Sequence, residues 1–102
     1  MRFQDKVAVI TGAADGIGRA TSRILASEGA HLVAVDINPS ALAALAEEIE
    51  ASGGKVTTME VNVLDTQQAE RMVASVVSSL GRIDIGNSHL LWEDLVVRLG
   101  KI

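Results

Sequence analysis

The chain contains no cysteine and no tyrosine, and its only aromatic residues are one tryptophan and one phenylalanine. Without cysteine it can form no disulfide, no thiolate nucleophile and no cysteine-ligated zinc site. Without tyrosine it has no phenol to act as a catalytic acid or base. The two histidines, His31 and His89, are far apart in the sequence and suggest no metal cluster. We therefore expect neither a metal site nor catalysis by these residue types.

The net charge is small, and the sequence has no long apolar run. The net charge of −4 and the pI of about 5.0 argue against nucleic acid or an anionic membrane as the main partner. No apolar run approaches the roughly 20 residues that span a bilayer, and the first residues lack the pattern of a signal peptide. Hydrophobic residues nevertheless make up 48% of the 102 residues, with a mean hydropathy of +0.30. This composition predicts one small, folded, cytoplasmic domain.

Short β-branched apolar runs alternate with stretches of helical periodicity. The apolar runs predict strands over Lys6–Thr11, His31–Asp36, Lys55–Val63 and Arg82–Ile85. Helices are predicted between them, with Asn38 and Asp65 or Thr66 as N-caps and Gly29 as a C-cap. On the first helix the predicted apolar stripe is Ile17, Ala20, Thr21, Ile24 and Leu25. A last helix is predicted from about His89 to Leu99.

This order predicts an α/β fold with a parallel sheet, because helical crossovers force neighbouring strands to run in the same direction. The expected strand order is 3-2-1-4, which is one half of a doubly wound, Rossmann-like fold flanked by helices. We assign residues 1–85 to a nucleotide-binding segment and residues 86–102 to a helical tail of the same domain.

Three glycines, Gly12, Gly16 and Gly18, fall in the predicted turn between the first strand and the first helix. Gly12 allows a tight turn with positive φ, and Gly16 leaves room for a pyrophosphate to approach the backbone. Gly18 allows the helix to pack closely on the strand. The N-terminus of that helix offers unpaired N–H groups and a positive dipole end to phosphate. The pattern therefore predicts dinucleotide binding.

An acidic residue, Asp36, ends the second strand 18 residues after Gly18 (36 − 18). A carboxylate in this place binds a ribose 2′-hydroxyl and repels a 2′-phosphate. The loop residues Ala13 to Asp15 include no arginine or lysine, and Ile37 follows Asp36. The sequence therefore favours NAD over NADP.

The stretch "VAVITGAADGIGRATSRILASEGAHLVAVDIN", together with "VNVLD" and "GRIDI", resembles the short-chain dehydrogenase/reductase family over about residues 4 to 85. The resemblance implies a nucleotide-binding fold and an oxidoreductase that transfers hydride between an alcohol and a carbonyl. By position it implies that Asn62 and Val63 lie beside the adenine, where the family usually has Asp in place of Asn62. It also implies contacts to the riboses and phosphates from the following residues: Gly12, Asp15, Gly16, Ile17, Asp36 and Ile37.

The resemblance ends after Ile85, before the catalytic serine and the Tyr-x-x-x-Lys pair of the family. We assign no catalytic residue, and interpret the chain as a truncated or spliced product that binds NAD without turnover. Ser22, Ser27 and His31 are interpreted as surface, packing or loop residues. The tail has an apolar stripe of Leu91, Leu95 and Leu99 beside Trp92.

This apolar stripe of the tail could be buried in two ways. It could cover the sheet of its own chain, or it could pair with another chain. The alternatives to a truncated dehydrogenase are therefore a stand-alone module that binds adenosine and pyrophosphate weakly and forms homo-oligomers through the tail or an exposed sheet edge, and a structural α/β domain with an empty loop.

Overall fold

The computed structural model describes residues 2–86, which form four strands and three helices in strict alternation. The predicted helical tail and the proposed boundary at residues 85–86 depend on residues outside this range and stay predictions. The strands are β1 (Val7–Thr11), β2 (His31–Asp36), β3 (Lys55–Glu60) and β4 (Ile85–Gly86). The helices are α1 (Gly16–Ser27), α2 (Pro39–Ala51) and α3 (Thr66–Leu80).

The strands form a parallel sheet in the order β3-β2-β1-β4, which confirms the predicted topology. β2 pairs with β3 along its whole length, from His31 opposite Lys55 to Asp36 opposite Glu60. β1 pairs with β2 from Val7 opposite His31 to Thr11 opposite Val35. The carboxyl ends of β1, β2 and β3 therefore meet at one edge of the sheet.

Each face of the sheet carries its own hydrophobic core, because successive side chains of a strand point to opposite faces. α1 and α2 cover one face, and α3 covers the other, as right-handed crossovers require. The core under α1 and α2 contains Ala8, Ile10, Leu32, Ala34, Leu25, Leu42, Leu45 and Ile49. The core under α3 contains Val7, Val9, Val33, Val35, Ala69, Met72, Val73 and Val76.

The starts of α2 and α3 follow the predicted N-caps, whereas α1 has its C-cap at Glu28, one residue before the predicted Gly29. The Asn38 side chain accepts a hydrogen bond from the Ala41 N–H at 3.1 Å, and Pro39 is the first residue of α2. Asp65 accepts hydrogen bonds from the N–H groups of Gln67 and Gln68 at the start of α3. These bonds satisfy N–H groups that have no partner inside the helix.

Two strands differ in extent from the prediction. β3 ends at Glu60 rather than Val63, because the chain turns after Val61, whose N–H donates to the Asp36 carbonyl at 3.1 Å. β4 covers only Ile85–Gly86 rather than Arg82–Ile85. The preceding residue, Asp84, already donates its N–H to the Val7 carbonyl.

The predicted apolar stripe of α1 was wrong except at Leu25, which is buried. Ile17 is 86% exposed and Ile24 is 61% exposed. The buried face instead holds Ser22, Leu25 and Ala26. Gly18, which approaches the turn after β1, lies on the same side of the helix as Ser22 and Leu25, and Ile17 and Ile24 lie away from the sheet.

Candidate functional site

The predicted site residues come together at the carboxyl edge of the sheet. Three segments contribute: the turn between β1 and α1, the end of β2, and the turn after β3. In open α/β sheets this edge is where ligands bind. The predicted residues on these segments are Gly12, Asp15, Gly16, Ile17, Gly18, Asp36, Ile37, Asn62 and Val63.

Two glycines of the first turn have backbone conformations that other residues rarely adopt. Gly12 has φ +64° and Gly16 has φ +52°. At both positions the space that a Cβ would fill contains no atom within 4 Å. The backbone of the turn is therefore open on its outer side, as a ligand that approaches the main chain would require.

Gly18 serves a different purpose from the other two glycines. A Cβ at Gly18 would overlap the carbonyl oxygen of Gly12 and lie 2.8 Å from its carbonyl carbon. The start of α1 therefore packs directly against the turn that leaves β1. This contact is the close helix packing that the sequence predicts for Gly18.

The N-terminus of α1 has no side-chain cap. Asp15 occupies the N-cap position in an extended conformation, and its side chain makes no capping hydrogen bond. The first N–H groups of a helix have no intrahelical acceptor, and they form the positive end of the helix dipole. This end of α1 is therefore suited to binding an anion.

Asp36 faces the glycine turn, as the sequence analysis requires. Its Oδ2 accepts a hydrogen bond from the Ala14 N–H at 3.2 Å, and its Oδ1 accepts one from the Asn38 N–H at 3.1 Å. One residue earlier in the turn, Ala13 donates its N–H to the Val35 carbonyl at 3.1 Å. These roles of Ala13 and Ala14 were not predicted from the sequence, because they depend on the approach of the turn to β2.

Exposed apolar side chains lie at the same edge. Ile17, Ile37 and Leu64 are 86%, 68% and 91% exposed. Val63 is half-buried and packs against the core under α3. The sequence analysis did not single out Leu64, although its place directly after Val63 would have suggested it. Apolar side chains around a few polar groups are typical of small-molecule sites.

Asn62 shapes the turn that carries Val63 and Leu64. Its Oδ1 accepts a hydrogen bond from the Leu64 N–H at 3.0 Å, and its own N–H donates to Gln68 Oε1 at 3.0 Å. The side chain is exposed. Asn62 thus has a local structural role in addition to the adenine contact that the resemblance implies.

The other singled-out residues lie away from this edge or have structural roles. Ser22 is fully buried, and its Oγ donates to the Gly18 carbonyl at 2.7 Å, so it is a packing residue. The His31 ring lies at the opposite end of β2, with Nε2 2.9 Å from Thr57 Oγ1. Burial and the charge of Lys55 lower the pKa of His31. His89 lies outside the described residues.

Residues 2–86 contain no group of three or more acidic or histidine side chains arranged to hold a metal ion. The three helices of the same range are each too short or too polar to cross a membrane.

Comparison with known proteins identifies the family. The family model described as short chain dehydrogenase matches residues 6–86. The chain therefore belongs to the short-chain dehydrogenase family, whose fold binds a nucleotide. It is 43% identical to 3-oxoacyl-[acyl-carrier-protein] reductase of Thermotoga maritima over 101 residues, which are 97% of this chain and 41% of that protein.

Two solved structures support the same assignment. A short-chain dehydrogenase/reductase of Burkholderia phymatum in complex with NAD is 32% identical and has a TM-score of 0.79. A metagenomic short-chain oxidoreductase in complex with NADP is 31% identical and has a TM-score of 0.82. The matches cover 84% of this chain, but only 31% and 39% of those chains. The chain thus spans about two fifths or less of these relatives.

Proposed function

We propose that this chain is the NAD-binding part of a short-chain dehydrogenase-type oxidoreductase. The observation that carries the proposal is the uncapped N-terminus of α1, next to a turn whose outer side is open at Gly12 and Gly16. The N–H groups of the first turn of α1 would donate to the pyrophosphate, and Asp36 would accept hydrogen bonds from the adenosine ribose. Ile37, Val63 and Leu64 would cover the apolar faces of the adenosine.

We propose that the site prefers NAD to NADP. Asp36 and Asp15 both place a carboxylate near the glycine turn, and residues 13–15 supply no cation to a 2′-phosphate. A 2′-phosphate beside the Asp36 carboxylate would be repelled. The two solved relatives were found with NAD in one case and NADP in the other, so the choice rests on Asp36.

The residues described here bind and orient a dinucleotide, and the bound nicotinamide supplies the hydride chemistry. The chain contains no tyrosine to carry a proton to or from a substrate oxygen. We propose that these residues alone produce no turnover. The cytoplasmic location expected from the sequence stays a prediction.

Calorimetric titration with NAD, NADP and ADP tests this function. We expect NAD and ADP to bind with dissociation constants of about 1 mM, near −4 kcal/mol, and NADP to bind more weakly. Ile17→Glu should weaken NAD binding about tenfold, because it places a negative charge at the site of the pyrophosphate. The same change favours the N-terminus of the helix, so the fold should be kept. Ser75→Glu on α3 is the matched control.

Three results would contradict the proposal. Absence of heat with up to several millimolar NAD would favour a structural domain with an empty turn. Tighter binding of NADP than of NAD would show that the preference derived from Asp36 is wrong. Reduction of NAD to NADH in the presence of any alcohol of a panel, followed spectrophotometrically and faster than without protein, would refute the expected lack of turnover.

A second candidate function is self-association. The flank of α1 that points away from α2 carries Ile17 and Ile24, which are both largely exposed. On the opposite flank, Arg19 and Arg23 form ion pairs with Glu48 of α2. Ile24→Glu should reduce the molar mass in light scattering if this flank contacts another copy, and Ser75→Glu should not. An intact chain that is monomeric at high concentration would exclude this candidate.

A further inference from the structure

We propose that Asp36 is also a positioning residue, which holds the glycine turn in its binding conformation before any nucleotide arrives. This inference rests on the proposed function, because it assigns a second role to a residue of the same site. The known role of an acid at this place is to accept hydrogen bonds from the ribose. The contacts of Asp36 within the chain point to an additional role.

Two successive N–H groups of the turn donate hydrogen bonds to β2. The Ala13 N–H donates to the Val35 carbonyl at 3.1 Å, and the Ala14 N–H donates to Asp36 Oδ2 at 3.2 Å. The first bond continues the backbone pairing of β1 and β2. The second depends on a side chain, and it lies one residue before Asp15, the N-cap of α1.

The Ala14 amide depends on this carboxylate. Ala13 and Ala14 are 0% and 5% exposed. A buried N–H group that loses its acceptor is destabilising, so the turn would have to open to reach water. Loss of the Asp36 carboxylate should therefore loosen the turn even in the free protein.

Asp36 itself is well anchored. Its carbonyl oxygen accepts the Val61 N–H at 3.1 Å, and it is paired opposite Glu60 in the sheet. Its Oδ1 also accepts the Asn38 N–H, which fixes the side chain from the α2 side. A carboxylate has about four acceptor sites, so two backbone bonds leave sites for ribose hydroxyls. The two roles are therefore compatible.

Amide hydrogen exchange of the free protein, followed by NMR, tests the positioning role without a ligand. Asp36→Ala should lower the protection of the Ala14 amide about tenfold or more. Protection of the Val33 amide in the centre of β2 should not change. Asp15→Ala is the matched control, because it removes a carboxylate of the same turn that makes no capping hydrogen bond. If Asp36→Ala does not fold, Asp36→Asn, which keeps one acceptor oxygen, should give a smaller loss at Ala14.

A binding experiment separates positioning from ribose recognition. ADP and 2′,3′-dideoxy-ADP are titrated into the wild-type chain and the Asp36→Ala variant. If Asp36 positions the turn, the variant should weaken both ligands, and the dideoxy compound by about tenfold. A loss confined to ADP, or unchanged Ala14 protection in both Asp36 variants, would overturn the positioning role. Failure of the wild-type chain to bind either ligand would refute the proposed function, and the exchange result would still decide the positioning role.

Discussion

Replacement of Gly18 by alanine should destabilise the fold and impair nucleotide binding together. The new Cβ would overlap the Gly12 carbonyl oxygen and lie 2.8 Å from the Gly12 carbonyl carbon. Both are backbone atoms of a turn that is fixed to β2, so no side chain can rotate to make room. Ordinary contact between carbon atoms needs about 3.5 Å, so relief of the carbon contact alone would move the start of α1 by roughly 0.7 Å, and the closer overlap with the oxygen requires a larger movement.

The size of the effect follows from two opposing contributions. Insertion of an extra methyl group into a closely packed site costs about 1–3 kcal/mol. Replacement of glycine by alanine in a helix stabilises the folded state by about 0.5–1 kcal/mol, because alanine loses less backbone entropy on folding. Because the clash is with backbone atoms that cannot rotate away, the cost should lie in the upper half of its range, about 2–3 kcal/mol. The net loss should then be about 1–2.5 kcal/mol, against a typical total stability of about 5–15 kcal/mol.

Urea denaturation followed by far-ultraviolet circular dichroism measures this loss. With a slope of about 1–3 kcal/mol per molar urea, the midpoint should fall by roughly 1 M. NAD affinity should fall as well, because the N–H groups at the start of the displaced helix no longer point towards the pyrophosphate. Gly54→Ala is the matched control, because its Cβ would also meet close neighbours, the Ile49 Cγ2 methyl at 2.7 Å and the Ile49 carbonyl oxygen at 3.2 Å, but far from the site. It should leave NAD binding unchanged.

A Gly18→Ala variant as stable as the wild-type chain, with unchanged NAD affinity, would refute the reasoning. It would mean that α1 does not press against the turn after β1. A loss of stability with normal affinity would show that the position of the helix does not control binding.

Two further predictions concern the framework of the site. Burial would raise the pKa of Asp84, but hydrogen bonds from Arg82 and from the Val7 N–H outweigh it and lower the pKa below its ordinary value. Its stabilising contribution is therefore full above the pKa of an unfolded aspartate, near pH 4, and is lost as the pH falls through the lower folded value. Urea midpoints should thus fall less between pH 6 and about pH 3 in Asp84→Asn than in the wild-type chain, and an equal fall would contradict this assignment. Leu45→Ala should cost about 2–5 kcal/mol in the same assay, because Leu45 is fully buried between α2 and the sheet; a loss similar to that of the exposed control Glu50→Ala would show that this core is loosely packed.

Strand order and helix capping could be predicted from the sequence because both depend on local patterns. The buried runs of β1 and β2 and the caps Asn38 and Asp65 confirm this. The two-residue length of β4 could not be predicted, since Arg82 to Asp84 also fit a strand. Whether they pair depends on how closely the chain approaches β1.

The rotation of α1 and the bonds of Asp36 required three-dimensional information. Periodicity grouped Ile17 and Ile24 with Leu25, but both isoleucines lie away from the sheet. The close packing of Gly18 was predicted from its place in the glycine turn, but the period of the apolar residues alone assigned the buried face of the helix to the wrong side chains. Similarly, the position of Asp36 predicted a ligand contact, but only the fold shows that its carboxylate also holds the Ala14 amide.

The division of each strand between two cores has a consequence for changes in chain length. In β2, Leu32 and Ala34 face α1 and α2, whereas Val33 and Val35 face α3. Insertion or deletion of one residue within β2 would exchange the two sets, and both helical layers would then meet side chains of the wrong size. Related sequences and engineered variants should therefore gain or lose residues at exposed turns such as Gly81–Arg82, while the spacing inside the central strands stays constant.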